Sequence, residues 1–321
     1  MQTTRDTMPD SKIRIAYIVL CHDEPRLLRR IAQVLQYGDD KIFVHVDKKV
    51  DASEFVAQVC DLDHVCLIED RVEVYWGGFN SIIATMNLIR AVLHDAVHYD
   101  RIVLLQGKDY PLHSPAYIHR FFEENEADEF CRSRNITRSN DPGDYMKCCG
   151  YWNPDGRKTF LKRYSGKALW ILNSVIKKKY RRGYFVYKGQ RWDVYKGWAQ
   201  IALTREAAEY VVHIYDTVPG FNRFMRHRFP PDEIYIHTIL ENSPFKKRIS
   251  DYLLSPRIGA EWFDECMNLT YFEYPVTVTV FQNEDDYKKL VETGALFVRK
   301  VTYRDSGKLL EEIDKQMILE R

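Results

Sequence analysis

The apolar positions of this chain alternate between two rhythms. Residues 13–20 (IRIAYIVL) form a near-continuous apolar run, and 41–47 (KIFVHVD), 64–68 (HVCLI) and 101–105 (RIVLL) repeat it. Runs of this kind predict strands buried on both faces. Between each pair the period shifts to that of a helix, as over 25–36 and over 80–94, where Ile82, Met86, Ile89 and Leu93 share one face. The alternation predicts an α/β fold, a mostly parallel, Rossmann-like sheet with helices on both sides.

Beyond Glu124 the rhythm weakens. Residues 132–160 are rich in turn formers and predict long loops over the sheet edge. Residues 162–191 are basic and aromatic, with a run at 177–182 (KKKYRR) that reads first as a solvated helix face and second as an electrostatic contact with anionic lipid or acceptor. Helices are predicted over 205–215, from Glu233, over 283–292 and over 306–319, with short strands at 276–280 and 295–298. There is no internal repeat or linker, so the two halves, 12–125 and 126–321, are expected to share one body.

Ligands of parallel sheets bind beyond the carboxyl ends of the strands. Here those ends carry Cys21 and His22, Asp47, the loop 69–79, and Gln106 to Pro111. The turn 21–25 (CHDEP) has no glycine, so the pyrophosphate cradle of a dinucleotide fold is missing, and no P-loop occurs. Dehydrogenases and P-loop NTPases are therefore excluded.

Composition narrows the field further. A net charge of +1 provides no basic field for nucleic acid. The seven cysteines are scattered without a C-x-x-C pair, which points to reduced thiols and a cytoplasmic setting, and no stretch approaches the apolar length of a membrane span. Aromatics, at 13%, tilt slightly towards carbohydrate.

One segment concentrates candidate chemistry: Pro230-Pro231-Asp232-Glu233, followed by Ile236, Ile239 and Leu240 at helical spacing. The prolines fix an extended approach, Asp232 suits an N-cap, and a first-turn Glu233 is expected to be ionised by the helix dipole and able to accept a proton. The plainer alternative makes both acids capping residues. His237, one turn later, raises a second alternative, a metal site shared with Glu233, for which no further ligand segment is evident.

Four stretches taken in order carry a resemblance: 42–49 (IFVHVDKK), 74–79 (VYWGGF), 104–112 (LLQGKDYPL), and 231–233 (PDE) with 242–245 (NSPF). The set resembles the core 2/I branching β-1,6-N-acetylglucosaminyltransferase family, which also holds the peptide O-xylosyltransferases. That resemblance implies a GT-A-type nucleotide-sugar fold, with 12–125 as the nucleotide-sugar half and 126–321 as the acceptor-binding and catalytic half. It implies an inverting glycosyltransferase that takes UDP-N-acetylglucosamine or UDP-xylose and needs no metal or other cofactor. Glu233 aligns with the catalytic base. Val19, His22, Asp47, Tyr75, Trp76, Asp109, Arg299 and Lys300 fall on the donor side; Trp198 and Asp232 fall on the acceptor side. The partners implied are a UDP-sugar and a glycan acceptor, here conjectured to be a lipid-linked polysaccharide precursor met by a bacterial enzyme at the inner face of the membrane, with peripheral contact through 177–192.

The departures from the pattern are specific. Where many such folds carry Asp-x-Asp, this chain has Gln106-Gly107-Lys108-Asp109, and Asp61-Leu62-Asp63 sits at the wrong end of the sheet. Thr270 stands where the family has a second cation, so Arg299, Arg257 or another basic residue must replace it. Gln200 stands where relatives often have an aromatic. These two departures motivate the alternative of a non-catalytic carbohydrate or nucleotide-sugar binding protein on the same fold.

Overall fold

β1 (Ile15–Cys21) forms where the sequence is apolar without interruption, and all of it but Leu20 is buried. The computed structural model describes residues 11–150, 152, 155, 183–254, 265–273 and 280–320. From β1 the chain continues through α1 (Pro25–Val34), β2 (Lys41–Val46), α2 (Ser53–Val59), β3 (Val65–Leu67), α3 (Asn80–His94) and β4 (Arg101–Gln106). α1 has proline in its first turn and buries Leu27, Leu28, Ile31 and Ala32. α3 begins and ends where its apolar spacing predicts.

β1, β2, β3 and β4 pair in parallel, and the five-stranded sheet runs β10-β4-β1-β2-β3, with β10 (Ala202–Thr204) antiparallel at one edge. The expected parallel-dominated α/β architecture is therefore present, in the order of a GT-A-like fold. The order reverses at β1: the chain runs from it through β2 to β3 on one side and then returns to lay β4 on the other. That makes the crevice outside the β1 and β4 carboxyl ends the natural ligand site.

Between β4 and β10 lie β5 (Asp109–Pro111), α4 (Pro115–Glu124), β6 (Ser133–Asn135), α5 (Pro142–Cys149), β7 (Tyr184–Tyr187), β8 (Gln190–Asp193) and β9 (Tyr195–Gly197). The loops expected over 132–160 thus contain a strand and a helix. The sequence assigns no element to the described end of the 162–191 stretch, which forms a hairpin. In its two-residue turn Lys188 and Gly189 both hold positive φ, at 49° and 78°, which matches the twist of paired strands. The basic run 177–182 lies outside the described residues.

After β10 follow α6 (Arg205–Thr217), α7 (Pro219–Met225), α8 (Tyr235–Glu241), β11 (Thr270–Tyr271), α9 (Glu284–Val291), β12 (Phe297–Arg299) and α10 (Gly307–Leu319). β11, β12 and β5 make a second, three-stranded sheet. The strand expected over 276–280 falls mostly outside the described residues, and the one expected over 295–298 is β12, shifted towards the C-terminus.

One core gathers β1, α1 and β2 side chains with Leu296, Phe297, Leu309, Leu310 and Ile313. The other gathers α3 with Trp192, Val194, Val211, Ile234, Tyr235 and Ile239. The sheet thus carries α1 with α10 on one face and α3 with α6 and α8 on the other. Among the described residues no helix is long and apolar enough to cross a membrane.

Candidate active site

The crevice outside β1 and β4 is shaped by a close backbone approach. Gly107 N–H donates to Leu20 O at 2.9 Å, and a Cβ at Gly107 would stand 2.7 Å from the Cys21 Cβ. This approach seats Lys108 beside the residues that leave β1, and its Nζ lies 2.6 Å from Asp23 Oδ2. The chain then turns back as β5, in register with β12, so that Asp109 lies opposite Arg299.

Asp109 is fully buried. Its Oδ1 accepts from Arg299 Nη1 at 2.7 Å and its Oδ2 from the Gln106 backbone N–H at 2.7 Å. Burial raises its carboxyl pKa, and Arg299 opposes that shift. Gln200, on the far side, brings its Nε2 to 3.5 Å from Oδ2. Lys300 follows, its ammonium pKa lowered by burial and then by the fields of Arg299 and Lys108. Three cations therefore gather around two carboxylates.

The second charged group is reached through the proline segment. Pro231 to Glu233 form a single 3-10 turn, and α8 starts only at Tyr235, with Ile234 at its N-cap position and no side-chain cap. The expected helix start at Glu233, with Asp232 as cap, is therefore corrected. Asp232 instead buries its Oδ1 without a hydrogen-bond partner, and burial raises its carboxyl against the fields of Lys196 and Arg299.

The expectation of a dipole-ionised Glu233 fails for the same reason: the helix begins too late to help it. Burial dominates and pushes Glu233 up to about 7, with Lys196 pulling the other way and Asp232 adding to the rise. Lys196 Nζ lies 3.4 Å from Glu233 Oε2, and the two side chains are 11% and 20% exposed. A carboxylate that releases its proton near neutrality is matched to general-base work.

Lys196 was not singled out by sequence reasoning. It sits on β9, which packs on α8 and is tied to it by Tyr195 N–H donating to Thr238 Oγ1 at 3.1 Å. The available signal was a lone charged residue in the run from Val194 to Ile201.

His237 is no metal ligand here. Its Nδ1 stands 2.9 Å from Cys131 O and its Nε2 2.9 Å from Trp198 O, so both ring nitrogens face backbone carbonyls. A Cβ on Gly197 would come within 2.6 Å of the same ring. Among the described residues no three His, Cys, Asp or Glu side chains come together as they would to hold a metal ion.

The other expected site residues divide. Asp47, nearly buried, accepts from the Lys49 and Val74 backbone N–H groups at 2.9 and 3.4 Å and pairs with Lys49 Nζ at 3.2 Å, tying the end of β2 to the 72–74 segment. Tyr75 stacks under Lys49, 4.3 Å from ring centre to Nζ. Trp76 is 78% exposed and meets the Phe229 ring edge-on at 4.7 Å, so the aromatic turn leans on the segment that carries Glu233. Gly77, at φ 69°, leaves no room for a Cβ beside Phe229.

Val19 lies wholly inside the sheet between Val44 and Leu105. His22 is exposed at the crevice rim, 3.9 Å from Asp23. Trp198 packs edge-on against Phe272 at 4.6 Å. Thr270 is buried in β11 opposite Phe297 and brings no charge. Arg257 lies outside the described residues. Asp61 is engaged by Arg29 before β3, which fits its reading as part of a turn.

The profile of the Core-2/I-Branching enzyme family matches residues 15–255. Among curated proteins, the chain is similar to xylosyltransferase 2 of Rattus norvegicus, 25% identical over 244 residues that make up 74% of this chain and 26% of the relative. It is likewise similar to xylosyltransferase 2 of Homo sapiens, 26% identical over 74% of this chain and 25% of the relative. Xylosyltransferase 1 of Rattus norvegicus is 24% identical over 74% of this chain and 27% of the relative. The chain spans about a quarter of the length of these curated relatives.

Proposed function

The chain belongs to the Core-2/I-Branching enzyme family, and from that premise we propose that it is an inverting glycosyltransferase moving a sugar from a UDP-sugar to a glycan hydroxyl. One observation carries the reading. Glu233, largely buried beside Asp232 and 3.4 Å from Lys196, is pushed up to about 7 by burial, which suits it to take up an acceptor's proton.

In the proposed step the acceptor oxygen attacks the anomeric carbon while its proton passes to Glu233. The bond from that carbon to the diphosphate breaks on the opposite face, and its electron pair stays with the departing UDP. A single in-line displacement inverts the centre and needs only one base. The growing charge on the diphosphate is met by Arg299 and Lys300. Asp109, the one carboxylate at the end of β4, is already engaged by Arg299, which supports side-chain cations rather than a bound divalent ion in this role.

The names of the relatives suggest xylose as the sugar, and the sequence resemblance adds N-acetylglucosamine. The test is a transfer assay with UDP-xylose and UDP-N-acetylglucosamine over a panel of glycan acceptors, with the anomeric configuration of the product read by NMR. Inverted product, formed equally with a chelator present, is expected; loss on chelation with rescue by manganese would overturn the metal-free mechanism. A UDP-sugar that binds, yet is neither transferred nor hydrolysed, would make the protein a nucleotide-sugar binder instead.

A further inference from the structure

Lys108 and Asp23 stand at the point where the strand order reverses, and the proposed mechanism gives neither a task. Lys108 is anchored at both ends. Its carbonyl accepts from the Val301 backbone N–H at 3.1 Å, which places it next to the Lys300 segment, and its ammonium pairs with Asp23 at 2.6 Å. The pair is accessible, with side chains 25% and 39% exposed, unlike the neighbouring Asp109–Arg299 pair at 0% and 17%.

Like charges gathered in a crevice repel one another unless an anion joins them. Burial lowers the Lys300 ammonium pKa first, and Arg299 and Lys108 add to that against the opposing fields of Asp23 and Asp109. Arg299 has its carboxylate deep in the protein, where water cannot compete. Lys108 has its carboxylate at the surface, in a short contact that solvent screens and that a stronger anion can displace. Thr270, buried in β11, contributes no positive charge from the other side of the small sheet. Among the described residues, the positive charge gathered at this crevice is that of Arg299, Lys300 and Lys108.

We propose that Lys108 is a further diphosphate-binding cation of this site, held by Asp23 beforehand and drawn to the donor's diphosphate when it binds. The proposal rests on the reading of the site as a nucleoside-diphosphate-sugar site. It assigns the lysine after Gln106-Gly107 a direct contact with phosphate oxygen, and it makes Asp23 the counter-ion that keeps the side chain in place beforehand.

Calorimetric titration of the intact protein with UDP and with uridine, for the unaltered chain, Lys108→Met and Lys108→Arg, tests this. Lys108→Met is expected to weaken UDP about tenfold or more, the scale of one lost charge-assisted hydrogen bond, while uridine binding stays as it was. Lys108→Arg is expected to recover most of the loss. Unchanged UDP binding in Lys108→Met would overturn the proposal. So would an equal loss for UDP and uridine, which would mean that Lys108 only props the crevice open. If the unaltered protein binds no UDP, the nucleotide-sugar reading itself falls, and this assignment falls with it. That outcome is distinct from UDP binding that ignores position 108.

Discussion

The crevice outside β1 and β4 and the turn that carries Glu233 are both charged, and they handle charge in opposite ways. In the crevice each carboxylate has a close cation: Asp109 with Arg299 and Asp23 with Lys108, at 2.7 and 2.6 Å. At the turn, Glu233 has its cation only at 3.4 Å, and Asp232 leaves one buried oxygen without a hydrogen bond. Tight pairing fixes side chains in place, which suits recognition of a ready-made anion. Burial raises the carboxyl at Asp109 as well as at Glu233, but Arg299 keeps Asp109 engaged, whereas looser pairing leaves Glu233 able to take up a proton. The difference lies in hydrogen-bond supply rather than in residue type, since all four anions are ordinary Asp or Glu.

The sharpest way to break the contrast is Glu233→Gln. It is expected to lower turnover by about 10³-fold, within the range of lost general-base catalysis, while UDP affinity in calorimetry stays within twofold. Substantial turnover in this variant would remove Glu233 from the role of base. Next comes the crevice: Arg299→Met leaves Asp109 buried without its cation and is expected to cost about 3 to 5 kcal/mol of stability in urea unfolding. The double variant with Asp109→Asn should recover much of that loss; a simple sum of the two single effects would show that the pair is uncoupled.

A smaller effect is expected where the two regions touch. Gly77→Ala puts a methyl group 2.1 Å from Phe229 Cε2 at a positive φ, and should cost about 1 to 3 kcal/mol in thermal unfolding. The gentlest probe is pH. With Glu233 at about 7, kcat/KM should rise with pH along a limb centred near 7 rather than near 4.5, because only the deprotonated carboxylate accepts the acceptor's proton. Lys196 lowers that value, so Lys196→Met should move the limb to higher pH. A limb that stays in place would separate Lys196 from the base.

The sequence made the crevice legible and left the turn obscure, for a physical reason. β1, β2, β4 and α3 announce themselves because each buries a periodic apolar face, and burial of such faces decides where they go. The identities of Asp109, Arg299 and Lys300 could be singled out, but their pairing depends on the β5 and β12 register, which no local pattern encodes. Around Glu233, local preference pointed to an N-cap at Asp232, and the two prolines instead produced a 3-10 turn that delays α8. Lys196 escaped notice because its role is set by Thr238 holding β9 against α8, forty-odd residues away in sequence. The hairpin of β7 and β8 has strands of only four residues each, and its one local signal is the Lys188-Gly189 turn inside a basic, aromatic stretch.

The register of β12 against β5 also bears on how far this protein can be shortened. The family profile ends at residue 255, well before Arg299. A version cut there would strip away the guanidinium that neutralises Asp109, together with Phe297, Val298 and the α10 side chains that cover one side of β1. The recognisable portion of the sequence is therefore smaller than the portion that must be kept to make a working unit, and expression fragments drawn to the profile's edge would be left with an unshielded acid at their centre.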